Sequence, residues 1–145
     1  MWFIRKRSIS GIPDKRLVIR AMTLTDAGCV RQNNEDCAGH SFLLGSKTDF
    51  LAVLADGMGG YERGEVAGGM MVNTACGESG GILQINPMKW LKNTVEKVNT
   101  QIYEAAQRMH IVMGTTCTIL LIWKKRLYCA HVGDSRLYLL QNNKL

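Results

Sequence analysis

Apolar and polar positions along this chain change period several times, and each change marks a new element. Residues 16–26, "RLVIRAMTLTD", alternate apolar with other residues, the period of a strand, and end in the turn-forming "TDAG". "VRQNNED" is polar and irregular, which predicts a loop. "SFLLG" and "FLAVLA" predict two strands on either side of the turn "SKTD", and the second is apolar on both faces, as a central strand is. From Glu62 to Cys76 small and apolar residues fall at helical spacing, with Gly68 and Gly69 weakening the helix while permitting close approach of a neighbour. "ESGG" ends that stretch. Asn86 and Pro87 then form a helix opening, an N-cap followed by proline at the first helical position. Leu91, Val95, Val98, Ile102, Ala105 and Met109 recur every three or four residues, so one face of this second helix packs while Lys92, Glu96 and Gln107 face water. "TTCTILLIW", "LYCAHVGD" and "RLYLL" predict three closing strands, joined by the basic turn "KKR" and the short "DS". Strands, two helices and strands again give an α+β plan, with helices packed on a mainly antiparallel sheet.

Composition narrows the classes of function. With 46% hydrophobic and 21% charged residues over 145 positions, the chain matches a soluble domain, and no apolar run approaches bilayer-spanning length. The opening "MWFIRKRSISG" lacks the basic-then-apolar order of a secretory signal, so the expected location is cytoplasmic. Five cysteines, at 29, 37, 76, 117 and 129, include no C-x-x-C pair and lie in or beside apolar runs; they read as reduced, mostly buried thiols. The formal charge of +6 is concentrated at the start: residues 1–20 hold six basic groups and one acid, which leaves the rest nearly neutral. Residues 1–16 are therefore expected to form a basic, flexible arm ahead of a domain over 17–145. Basic groups without interleaved aromatics, on such a body, make a poor nucleic-acid footprint, and neither nucleic acid nor membrane is expected as a partner.

The stretch most in need of a chemical reason is "FLAVLADGMGG", where a buried strand runs into an acid and then small residues. A Walker-type phosphate loop fails, because Gly59 and Gly64 have the spacing but Glu65 stands where lysine belongs and Val66 where a hydroxyl residue belongs. A dinucleotide fingerprint fails too, with Glu62 in place of the third glycine. Two readings stay open on these residues alone. Asp56 caps the following helix while the glycines turn the chain, or Asp56 and the bare carbonyl of Gly57 offer oxygen ligands to a hard divalent cation.

Two further clusters bear on that choice. "TDAGCVRQNNED" and "HVGDSR" each set acids beside an arginine after an apolar strand. Together with "LADGMGGYERGE" and "MGTTCTILLI", in this order, they resemble the motifs of the PPM family of metal-dependent protein serine/threonine phosphatases (type 2C), in their bacterial form. The resemblance runs from about Leu17 to the last residue. It implies a β-sandwich flanked by helices in α-β-β-α layers, of which residues 17–145 are the N-terminal part. It implies, further, that Asp56 bridges two metal ions and the Gly57 carbonyl binds one of them; that Arg31 holds the substrate phosphate; that Glu35 and Asp36 steady metal-bound waters; and that Asp134 binds a weaker third ion. The expected cofactor is Mn2+ or Mg2+, and the expected reaction is hydrolysis of phosphoserine or phosphothreonine in a protein substrate by a metal-activated water. The cysteines are not expected to be nucleophiles.

The chain departs from the pattern in three respects. It stops before the "SDG"-like and "DN" aspartates of the family, so the expectation is a truncated phosphatase, inactive or feeble alone, with an open sheet edge that invites pairing with another chain. The alternative expectation is a non-catalytic phosphoprotein-binding fragment or pseudophosphatase. Tyr61 and Met58 occupy positions where relatives carry histidine, and no side chain stands out as a general acid.

Overall fold

The computed structural model of the chain describes residues 2–8, 18–59, 63–83 and 85–145. Six strands form one sheet: β1 (Trp2–Ser8), β2 (Asp36–Phe42), β3 (Phe50–Gly59), β4 (Met113–Thr115), β5 (Cys117–Trp123) and β6 (Arg126–Val132). Their order is β1-β6-β5-β3-β2, with β4 paired to the end of β3, and every pairing is antiparallel. Helix α1 (Gly64–Gly77), a short 3-10 turn (Ser79–Leu83) and helix α2 (Pro87–Met109) lie between the two halves of the sheet in sequence. The α+β, mainly antiparallel plan is borne out. Of the four layers expected, the described residues build one sheet and one layer of helices.

Alternation decides which face is covered. Leu51, Val53 and Ala55 of β3 meet Cys117, Ile119 and Leu121 of β5 and Tyr128 and Ala130 of β6 in one buried cluster beneath the helices. From α1 the cluster takes Ala67, Met71 and Ala75, and from α2 it takes Trp90, Leu91, Val98, Ile102 and Ala106. Small residues let α1 lie close to the sheet: a Cβ on Gly68 would sit 3.1 Å from the Cys37 thiol. Helix α2 begins as its sequence predicts. The Asn86 side chain accepts from the Met88 N–H at 2.9 Å with Pro87 at the first turn, and His110 closes the helix in the left-handed conformation at φ 54. Lys124 and Lys125, at φ 49 and 57, form the two-residue turn between β5 and β6.

Several expected elements are corrected. Residues 18–26 are not a strand; Met22 and Leu24 are each 92% exposed, and no ladder partner runs beside them among the described residues. Residues 136–140 are not a strand either, for the same reason. The strand expected over "SFLLG" begins earlier, at Asp36, and is over by Phe42. Part of the presumed free arm is ordered, since Trp2–Ser8 pairs with β6 in full register; residues 9–17 lie outside the described residues, as do Tyr61 and the expected helix start at Glu62. Among the described residues no helix is long and apolar enough to cross a membrane.

Candidate active site

Strand register brings the acids together. β2 and β3 pair so that Asp36 stands directly opposite Asp56, and side chains so placed project from the same face about 5 Å apart. The consequence appears in the Asp56 carboxyl, whose pKa is raised above its ordinary 3.8 by partial desolvation, by the charge of Asp36 and a side-chain hydrogen bond with it, and by the charge of Asp134; Arg31 pulls the other way. Of the other five residues singled out in the sequence, three, Arg31, Asp36 and Asp134, are thus within charge range of Asp56. Asp36 is the nearest partner of Asp56, a proximity that the loop reading of "QNNED" did not foresee.

Glu35 points elsewhere. Its Oε1 accepts from the Gly64 N–H at 3.1 Å, the first residue of α1, and its carbonyl accepts from the Gly57 N–H at 3.1 Å. It satisfies a free amide at the helix start, where a negative charge is favoured, and Arg63 in the N-cap position makes no side-chain cap. Gly57 has a steric reason to be glycine beyond any metal: a Cβ there would fall on the Gly64 carbonyl and lie 2.7 Å from the Glu35 carbonyl. The "DG" of β3 and the "RG" opening α1 are two sides of one backbone contact.

The loop bearing Arg31 is pinned from three sides. Asn34 donates to Thr25 Oγ1 at 2.7 Å and accepts from the Asp36 N–H at 3.0 Å, while Asn33 donates to Glu65 of α1 at 3.2 Å. Arg31 itself is exposed. On the opposite side Thr116 grips Asp56 by its backbone: the Thr116 hydroxyl accepts from the Asp56 N–H at 2.9 Å, the Thr116 N–H donates to the Asp56 carbonyl at 2.8 Å, and Thr115 Oγ1 adds a bond to that carbonyl at 3.1 Å. Thr116 Oγ1 also meets Ser135 Oγ at 2.8 Å, which ties the turn carrying Asp134 to the same anchor. Gly133 reaches that turn at φ 102 with no room for a side chain, since a Cβ would lie 2.7 Å from Thr116. Thr115, Thr116 and Ser135 went unassigned in the sequence. The double threonine of "MGTT" was the available signal.

His131 bridges Thr118 at 2.9 Å and the Gly133 carbonyl at 3.0 Å, a structural histidine. Burial pushes the Cys117 thiol up to about 12, which makes it inert as a nucleophile.

The donor set is all oxygen. Among the described residues no three His, Cys, Asp or Glu side chains converge as a ready metal cage. A magnesium-type ion requires fewer, for it keeps several waters and takes one or two carboxylates. The facing pair of Asp36 and Asp56 fits such a hydrated ion.

Residues 19–145 match the family model described as Protein phosphatase 2C. The chain belongs to that family. Among curated protein phosphatases, the serine/threonine phosphatase stp of Listeria welshimeri is 37% identical over 127 residues, covering 83% of this chain and 50% of that protein. Serine/threonine phosphatase Stp1 from Staphylococcus aureus superposes with a TM-score of 0.73 at 32% identity, covering 92% of this chain and 55% of that one. The catalytic domain of the protein phosphatase PstP, solved with 2 manganese ions, gives 0.65 at 29% identity, covering 99% and 53%. The chain spans about half the length of the stp phosphatase it matches.

Proposed function

We propose that this chain carries the phosphate-binding and part of the metal-binding apparatus of a cytoplasmic protein serine/threonine phosphatase, acting on phosphoserine or phosphothreonine in proteins. The observation that carries the reading is the opposition of Asp36 and Asp56 at one end of the sheet, with Arg31 and Asp134 close enough to shift the Asp56 carboxyl. In this reading Asp56, the Gly57 carbonyl and Asp134 hold Mn2+ or Mg2+. Such an ion, when bound, neutralises charge on the phosphoryl group and makes a water more acidic.

The chain's own residues do the rest. Arg31 lies in a loop fixed by Asn33 and Asn34, and its planar fork pairs with two phosphate oxygens at once, orienting the ester for in-line attack. Asp36, directly opposite Asp56 on the neighbouring strand, accepts from water at the same opening. Glu35 fixes the start of α1 against Gly57 and thereby the backbone at the site. Free thiols along the chain suit a reducing compartment.

The test is a calorimetric titration of the purified chain with manganese, paired with hydrolysis of para-nitrophenyl phosphate. Binding in the micromolar range that Asp56→Asn removes is the expected result, with weak or no turnover by the chain alone. Binding of a phosphopeptide through Arg31 with no manganese affinity would instead establish the non-catalytic module. Failure to bind either ligand defeats both.

A further inference from the structure

Sulfur gathers in one part of the core. Cys117 of β5 and Met71 of α1 are 2% and 3% exposed, and the Cys117 thiol donates to the Met71 thioether at 3.5 Å. Both line a cavity of about 490 Å³ beside the second half of α2. Met113 of β4, 8% exposed, lines it as well, and Met58, 60% exposed, adds a fourth sulfur on the side open to water. Protein interiors seldom leave voids much larger than a water. Packing explains a methionine that fills a gap, and here the gap remains beside three of them. Their unbranched, polarizable side chains can move into it to meet a ligand.

Charge and softness select that ligand. The polar groups on the lining, among them Asn99, Gln107 and Thr115, are uncharged. One thiolate and neutral thioethers around a monovalent cation sum to zero, whereas a divalent cation would leave a net positive charge against apolar walls. Thiolate and thioether ligands favour soft ions such as copper(I) over the hard cations that oxygen ligands take. Metal–thiolate bonds are about 2.3 Å long, so two sulfurs on one ion at a trigonal angle stand about 4 Å apart, close to the 3.5 Å between Cys117 and Met71. The acids are kept away from this site. Ala55 packs in the core beneath the helices, so its neighbour Asp56 projects from the other face of the sheet.

We infer that Cys117, Met71 and Met113 form a binding site for a monovalent soft metal ion, copper(I). As the sulfur–metal bond forms, the Cys117 thiol releases its proton to solvent, and no electron is transferred. The site does not depend on the phosphatase reading, since it uses none of the oxygen ligands assigned there.

The test is an anaerobic titration of the full chain with copper(I) against bicinchoninate, a chromophoric competitor, with the methionine methyl groups labelled with carbon-13. One equivalent is expected to shift the Met71 and Met113 signals and to leave those of Met22 and Met88, which lie outside the cavity lining, in place. Cys117→Ser should weaken binding about a hundredfold or more, because it removes the one thiolate. Met71→Leu and Met113→Leu conserve volume and should each weaken it about tenfold. Silver(I), a stand-in with no redox chemistry under these conditions, should repeat the pattern, and Cys29→Ser, at an exposed thiol, should leave it unchanged. Where Cys117→Ser does not fold, the variant carrying both Met71→Leu and Met113→Leu decides. Affinity lost in Cys29→Ser, or methionine signals that stay in place on binding, overturns the site. Unchanged affinity in the double methionine variant overturns it too, as does binding no tighter than micromolar. Zinc held at these sulfurs as tightly as copper(I) would refute the charge argument and with it the inference.

Discussion

At the scale of single residues, the decisive fact is that two carboxylates face one another, with Arg31 partly offsetting the charge at Asp56. Asp56 titrates above 3.8, so its protonated form contributes stability that is fully present below that value and is lost as pH rises through the raised pKa. An asparagine cannot ionise. Asp56→Asn is therefore expected to raise the melting temperature of the ion-free chain at neutral pH, and the gain should shrink as pH falls toward 3.8. Adding manganese should reverse the ranking, because the ion stabilises only the chain that binds it. Thermal melts in chelator and in manganese, at neutral and acid pH, measure both. A variant less stable than wild type in chelator at neutral pH would show that the Asp36–Asp56 repulsion is not felt in the fold. This pair was half legible in the sequence. Asp56 stood out because a buried strand ended in it, whereas Asp36 sat in a polar run whose membership of β2 depends on a ladder partner far along the chain.

Elements differ in how much of their cause is local. Helix α2 was readable from its N-cap and its spacing, both carried within the segment, and its buried face includes Leu91, Val98 and Ile102 as expected. Residues 18–26 and 136–140 have strand-like patterns without a strand, because alternation is a preference that only a neighbouring ladder turns into structure. The junction of β3, β4 and β5 is the opposite case: Thr116, 4% exposed, holds Asp56 and the turn at Ser135 through contacts between residues distant in sequence, whose partners the double threonine does not specify. Thr116→Val keeps the shape and removes the hydroxyl. It is expected to lower unfolding free energy by about 1–3 kcal/mol, since the part-buried Asp56 N–H loses its side-chain acceptor. Manganese affinity should fall with it, and Thr116→Ser should restore both. Denaturant unfolding together with calorimetry checks this, and unchanged manganese binding in Thr116→Val would remove Thr116 from the positioning of Asp56.

At the scale of the whole molecule, the surface is what the helix layer leaves uncovered. Leu54 and Phe42, 40% and 48% exposed, lie on β3 and β2, and β2 is an edge strand. Met22 and Leu24 at 92%, and Leu140 at 66%, add large apolar side chains on segments that pack against little. Monomeric proteins rarely leave extended apolar patches in water, and an open edge offers unpaired backbone groups to any matching strand. The stp phosphatase is about twice as long as the segment matched, so its domain has further chain available to meet such surfaces. The purified chain, given no other polypeptide, is expected to meet itself. Sedimentation velocity should show a weight-average mass that rises with concentration, and Met22→Ser with Leu24→Ser should reduce that rise while leaving the α2 and β5 core, which neither residue touches, cooperative in unfolding. A mass that stays at one chain from low to high micromolar concentration would mean that these side chains are accommodated within the single molecule. In that event the pairing surface would have to be sought along β2 alone, by placing a proline at His40, whose partner on β3 is Ala52, and measuring its effect on binding of added polypeptide.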